Sequence, residues 1–188
     1  MTAVLPRARS VLWGALLVLL AACASTPPEP KYAQPATAEA RVSAPDTVAV
    51  SIEPGQGVTL NPEETGRVAQ KIKSKIDERK ASNPRDGAPH TYQVLVHVSR
   101  YEKGNAFARF MLAGMGQIHV DGTIFLYQMP EHTLAEQFDL QKTFAWGGIY
   151  GASVSVETIE DTFADGVAQA VTGQTASEQK AVATKTKN

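Results

Sequence analysis

The chain predicts an α+β domain: a four-stranded, mainly antiparallel sheet with two helices packed on one face, in the order β-α-β-β-β-α. Three observations carry this expectation. Three segments alternate apolar and polar residues at a period of two, and two others repeat apolar residues every three or four positions. The stretch that holds them, residues 46–173, lies between two polar segments with few large apolar residues.

Thr47-Val-Ala-Val-Ser-Ile52 is a β-branched run closed by Pro54-Gly55, which suits a first strand and its turn. Asn61-Pro62-Glu63-Glu64 then supplies an N-cap residue, a proline in the first helical position and a glutamate at the capping-box position. Val68, Ala69, Ile72 and Ile76 fall on one stripe while Arg67, Lys71, Lys73 and Lys75 point elsewhere, so an amphipathic helix runs to about Lys80. After a loop from Ser82 to Pro89, Tyr92, Val94, Val96 and Val98 alternate with Gln93, His97 and Ser99. Ile118, Val120, Ile124 and Leu126 do the same, with Gly122 on the inner face marking a bulge or a close helix approach. Leu134, Phe138, Leu140, Phe144 and Trp146 give the third alternating strand, completing an antiparallel meander. Val156, Ile159, Phe163, Val167 and Ala170 form the stripe of the last helix, which Gly173 closes. Glu157, Glu160, Asp161 and Asp165 near its start are expected to complement the helix dipole.

At the amino end, Arg7 and Arg9 precede the apolar run Val11–Leu20. Ten helical residues span about 15 Å, half of a hydrocarbon core of roughly 30 Å, so the run suits a cleaved leader better than a membrane span. It ends in Leu20-Ala21-Ala22-Cys23, which resembles the bacterial lipobox. The resemblance implies a signal peptide over residues 1–22 and acylation of Cys23. With Ala24 and not Asp after the cysteine, it also implies transfer to the outer membrane, with the domain on the periplasmic side. Several acyl chains on one residue make anchoring effectively stable. Residues 23–45, rich in Pro, Ala, Ser and Thr, are expected to be a flexible tether, and residues 174–188 a disordered tail.

Charge and cysteine content narrow the partners. The formal net charge is −1, and removing the two leader arginines leaves the mature chain near −3. That balance argues against nucleic acid, which needs a clustered excess of Lys and Arg. One cysteine allows neither an intramolecular disulfide nor a cysteine-based zinc site.

Between the second and third strands stands Tyr101-Glu-Lys-Gly104-Asn-Ala-Phe-Ala-Arg109-Phe-Met-Leu-Ala-Gly114-Met-Gly116. A glycine, an arginine five residues on, an apolar run and a Gly-x-Gly pair make a pattern similar to the bacterial envelope family known as domain of unknown function 4410. The glycine-rich Gly147-Gly148-Ile-Tyr-Gly151 after the last strand matches that family too, and the likeness covers roughly residues 45–172. The turn Met129-Pro130-Glu131 departs from it, because relatives often have an Asp-rich turn there. The resemblance implies an exported or lipid-anchored domain without an assigned reaction.

Candidate sites follow from the same residues. Gly114-x-Gly116 could cradle an anion on backbone amides, but no Lys-Ser/Thr follows it, and Gly104, Gly114, Gly116, Gly147 and Gly148 are better explained as conformational glycines. A hairpin centred near residue 108 would bring His97 and His119 nearly opposite each other, with Asp121 close by, short of a convincing metal site. No Gly-x-Ser-x-Gly elbow or isolated carboxylate pair is present, so no catalytic residue and no cofactor is expected. The best recognition candidates are the apolar loop Phe107-Ala-Arg-Phe-Met-Leu112, with Phe107, Arg109, Phe110 and Met111, and the stretch Trp146-Gly-Gly-Ile-Tyr150, with Trp146 and Tyr150, which strand polarity places at the same end of the meander. The alternative is that these side chains fold back over the sheet edge as core. Arg109 could face a lipid phosphate or a partner carboxylate, or pair with Glu102 or a carbonyl within the fold. The expected role is a non-enzymatic module that binds another envelope protein or assembles with itself, with a small-ligand or lipid carrier as the alternative.

Overall fold

A computed structural model describes residues 27–112 and 114–173; the expected leader, Cys23 and the 174–188 tail lie outside the described residues. The elements run β1 (Lys31–Gln34), β2 (Thr47–Pro54), α1 (Pro62–Lys80), β3 (Thr91–Glu102), α2 (Ala106–Met111), β4 (Ile118–Met129), β5 (Thr133–Phe144), α3 (Gly148–Ser153) and α4 (Val156–Thr172), with one 3-10 turn at Ala38–Ala40. The α+β class and the β3-β4-β5 meander agree with the sequence, but the sheet is mixed and has five strands in the order β1-β5-β4-β3-β2.

Two differences account for this. Lys31–Gln34, in the segment expected to be a tether, adds to the free edge of β5 by antiparallel pairing. Its four residues are all exposed, so no alternating apolar pattern announced it; backbone pairing and the Tyr32 ring against Phe138, 5.6 Å between centroids, hold it there. Further along the same segment, Val42 is buried. At the other edge, β2 pairs with β3 in parallel, because α1 carries the chain back across the sheet before β3 begins.

The structure has four helices where the sequence predicts two: α1 and α4 form where expected, while α2 and α3 are short turns of helix within the segments read as loops. Asn61 caps α1 through Glu64 N–H at 2.9 Å, and the Glu64 carboxylate reaches back to Asn61 N–H at 3.0 Å, a complete capping box. Gly173 closes α4 at φ 65°. Val68, Ile72 and Ile76 of α1 and Ile159, Phe163 and Val167 of α4 meet Val94, Val96, Ile124, Leu126, Phe138 and Leu140 in one core on one face of the sheet. Gly122 stands opposite a bulge in β3 between Val98 and Arg100. No described helix is long and apolar enough to cross a membrane.

The acids of α4 do more than complement a dipole. Glu160 is fully buried and accepts hydrogen bonds from Arg67 Nε and Nη2, both at 2.9 Å, and from the Tyr101 hydroxyl at 2.6 Å. Asp165 accepts from Arg79 at 2.7 and 3.0 Å. These pairs fasten α4 to α1 and β3, through Arg67, which the sequence places off the apolar stripe of α1, and through Arg79 at the end of that helix.

Candidate interaction site at the tip of the sheet

At the end of the sheet where β3 and β5 finish and β4 begins, the chain makes two excursions. Asn105 caps α2 by accepting from Ala108 N–H at 2.9 Å, and after β5 the turn at Gly147 opens α3. The two short helices pack against each other, so the loops expected at one end of the meander do share it.

Arg109 joins them. Its residue is only 2% exposed, and its guanidinium donates to three carbonyls: Gly116 at 2.7 Å, Gly151 at 2.8 Å and Val154 at 2.8 Å. Burial lowers its proton affinity from the ordinary arginine value. Arg109 therefore faces neither a lipid phosphate nor a partner carboxylate; of the roles open from sequence, it takes the internal pairing with carbonyls. Gly104 makes room for it, since a Cβ there would stand 2.5 Å from Arg109 Nη1 and from the Gly116 carbonyl, at a φ of 67°. Gly116 has φ 65° and its carbonyl also accepts from Asn105 N–H at 3.0 Å, which closes the loop on itself. Gly114 and Gly148 also take positive φ, whereas Gly147 has φ −101°, a conformation open to any residue.

The remaining candidates split by exposure. Tyr150 is half-buried, its ring edge-on to Phe144 at 5.9 Å. Phe107 is 73% exposed, and Phe110, Met111 and Trp146 are exposed as well. Leu112 and Ile149 of the same two loops are exposed too, the latter at 82%, and the structure adds Met115 to this surface. Apart from Tyr32, every exposed large hydrophobic side chain among the described residues sits on this cap.

The histidine pair does not assemble. His97 stands across from Thr123 and His119 from Glu102, because the ladder turns nearer residue 110 than 108 and the β3 bulge shifts it further. The His119 ring contacts Thr143 Oγ1 at 2.9 Å instead. Gly114 offers its carbonyl to Gln117 Nε2 at 2.8 Å, a contact that stabilises the turn.

Residues 58–148 match the model of Domain of unknown function (DUF4410). The resemblance drawn from the Gly104–Gly116 pattern is thus borne out, over a shorter span than 45–172; the DUF4410 match takes in α1, the β3-β4-β5 meander and α2, and leaves out β1, β2 and α4. Among solved structures, the chain is similar to two PelC dodecamers from Paraburkholderia phytofirmans. Identities are 14% and 13% and TM-scores 0.49 and 0.46, with 75% and 77% of this chain and 96% of each of those chains covered. It is also similar to a candidate lipoprotein from Caulobacter crescentus CB15, at 14% identity and a TM-score of 0.38, over 73% of this chain and 90% of that one. No curated protein matches the chain.

Proposed function

We propose that this chain is a non-enzymatic, lipid-anchored module of the bacterial outer membrane that works through the contact surface at the tip of its sheet, on the periplasmic side. The observation that carries the proposal is the cap itself: Phe107 and Ile149 project into water from a backbone that Arg109 ties down at three carbonyls. Contiguous exposed apolar surface is a liability in a free monomer, and a rigid platform that displays it suits a surface with a standing occupant.

The anchor rests on Leu20-Ala21-Ala22-Cys23 followed by Ala24. The non-enzymatic reading is supported by where the buried charges go. Glu160 and Asp165 are spent on Arg67 and Arg79, and Asp46 on Ser43, Arg85 and the His90 amide, so these groups serve packing between elements. The lone cysteine is assigned to lipid.

Fractionation of cells that express the full chain tests the anchor. With Cys23→Ser, or with the lipoprotein peptidase inhibited, mature acylated chain should disappear from the outer-membrane fraction. Unchanged partitioning and an unmodified thiol in the wild type would overturn the proposal.

A further inference from the structure

We infer that the tip is seated in the leaflet that holds the acyl chains of Cys23, so that the domain stands end-on to the membrane with its cap in the lipid. This deepens the contact-surface reading above and rests on lipidation at Cys23. It is carried by the direction in which the chain leaves the fold and by the composition of the cap.

Direction comes first. β1 runs antiparallel to β5, with Lys31 opposite Asp139 and Gln34 opposite Gln137, so the chain before Lys31 heads toward the carboxyl end of β5, where the tip lies. Pro28 is already beside Gly166 of α4, where a Cβ would meet both its ring at 2.9 Å and Leu140 Cδ2 at 3.0 Å. Five residue steps join Pro28 to Cys23, at most about 17 Å of chain. Along β5, Leu140 lies about 13 Å from the tip end at Phe144 and about 23 Å from the far end at Thr133. The lipid attachment therefore reaches the tip and falls short of the opposite end.

Composition agrees. The two excursions, residues 105–116 and 145–155, contain a single charged side chain, Arg109, and it is buried. No acid is present there to be repelled by anionic headgroups. Phe107, Phe110, Met111 and Ile149 are hydrocarbon that a leaflet accepts without specific pairing, and Trp146 has the amphipathic ring that settles at the headgroup boundary. A short leash holds this surface at high effective concentration beside the leaflet, so modest intrinsic affinity suffices.

The chain provides its own reporter, because Trp13 lies in the leader and Trp146 is then the one tryptophan of the mature protein. The experiment reconstitutes the mature acylated chain into vesicles of phosphatidylethanolamine and phosphatidylglycerol, with and without brominated acyl chains, and follows flotation together with Trp146 emission. The expected result is a floating protein whose emission is blue-shifted and falls by about half or more with brominated lipid, as for an indole at the headgroup boundary. Phe107→Ser combined with Ile149→Ser should still float but lose most of the quenching. A floating wild-type chain whose emission ignores bromine overturns the inference and leaves the anchor standing. Blue-shifted emission without quenching overturns it in favour of a second copy or another protein on the tip, and failure to float overturns the anchor and this inference together.

Discussion

Replacing Arg109 by alanine is the sharpest perturbation of the cap. The guanidinium donates to Gly116, Gly151 and Val154 at 2.7–2.8 Å. The Gly116 carbonyl keeps a second donor, Asn105 N–H, while the Gly151 and Val154 carbonyls lose the guanidinium outright. At about 1.5–3 kcal/mol for each charged hydrogen bond, two losses come to about 3–6 kcal/mol. Deleting the guanidinium also removes the cost of burying its charge, which offsets part of that, since burial disfavours the charged form. A net loss of about 3 kcal/mol follows, borne by the cap and not by the sheet. Native-state hydrogen exchange reads it residue by residue. The amides of Leu112 and Gly151, which bond to Ala108 and Gly147 within the cap, should exchange about a hundredfold faster, at tenfold per 1.4 kcal/mol, while those of central β4 change little. Arg109→Lys keeps a charge but not the planar fork, and should recover less than half of the loss. Cap amides that exchange within about threefold of wild type in the alanine variant would refute the view that this arginine holds the tip together.

Further outcomes follow from other parts of the molecule. Glu136 is buried on the helix-covered face of β5, with Oε2 unpartnered among the described residues; burial pushes its carboxyl up to about 7, against opposing help from the Ala36 N–H and Arg41. Because the folded form holds the proton more tightly than the unfolded chain, its contribution is fully present below about pH 4.5 and is lost as the pH rises through about 7, an effect on the order of 3 kcal/mol. Glu136→Gln should therefore raise the denaturant midpoint at pH 8 and flatten the pH dependence between 5 and 7; an unaltered slope would contradict this. Glu160→Ala removes the acid shared by Arg67 and Tyr101 and should cost about 3 kcal/mol, seen as a lower urea midpoint at an unchanged slope. Phe107→Ser and Ile149→Ser should leave the unfolding free energy within about 0.5 kcal/mol of wild type, because neither side chain is packed; a larger drop would place them in the core.

Much of the architecture was legible because it rests on local chemistry. The capping box at Asn61–Glu64, the stripe of α4 and the alternation of β3 and β4 are written in consecutive residues, and each element formed within a few positions of its expected bounds. β1 was not legible, since Lys31-Tyr-Ala-Gln34 buries almost nothing and owes its strand to the unpaired edge of β5, supplied a hundred positions away. The fate of the α4 acids was hidden for a similar reason: Arg67 and Arg79 are bound to Glu160 and Asp165 through a helix contact that no spacing within either helix reveals. At the tip, residue type foretold an apolar surface and strand polarity foretold that two loops would share one end. What sequence could not decide was which way Arg109 turns, because its acceptors are backbone carbonyls that no residue type marks.

Neutron reflectometry of the mature acylated chain on a supported bilayer tests the central claim most directly. β4, of 12 residues, makes the body about 40 Å tall along the sheet. An end-on domain held by its tip should give protein density that begins within the headgroup layer and extends outward by about that height, with no water between. A hydrated gap of about 10 Å or more between the headgroups and the protein would mean a body swinging on its leader-proximal segment, with its apolar cap turned elsewhere.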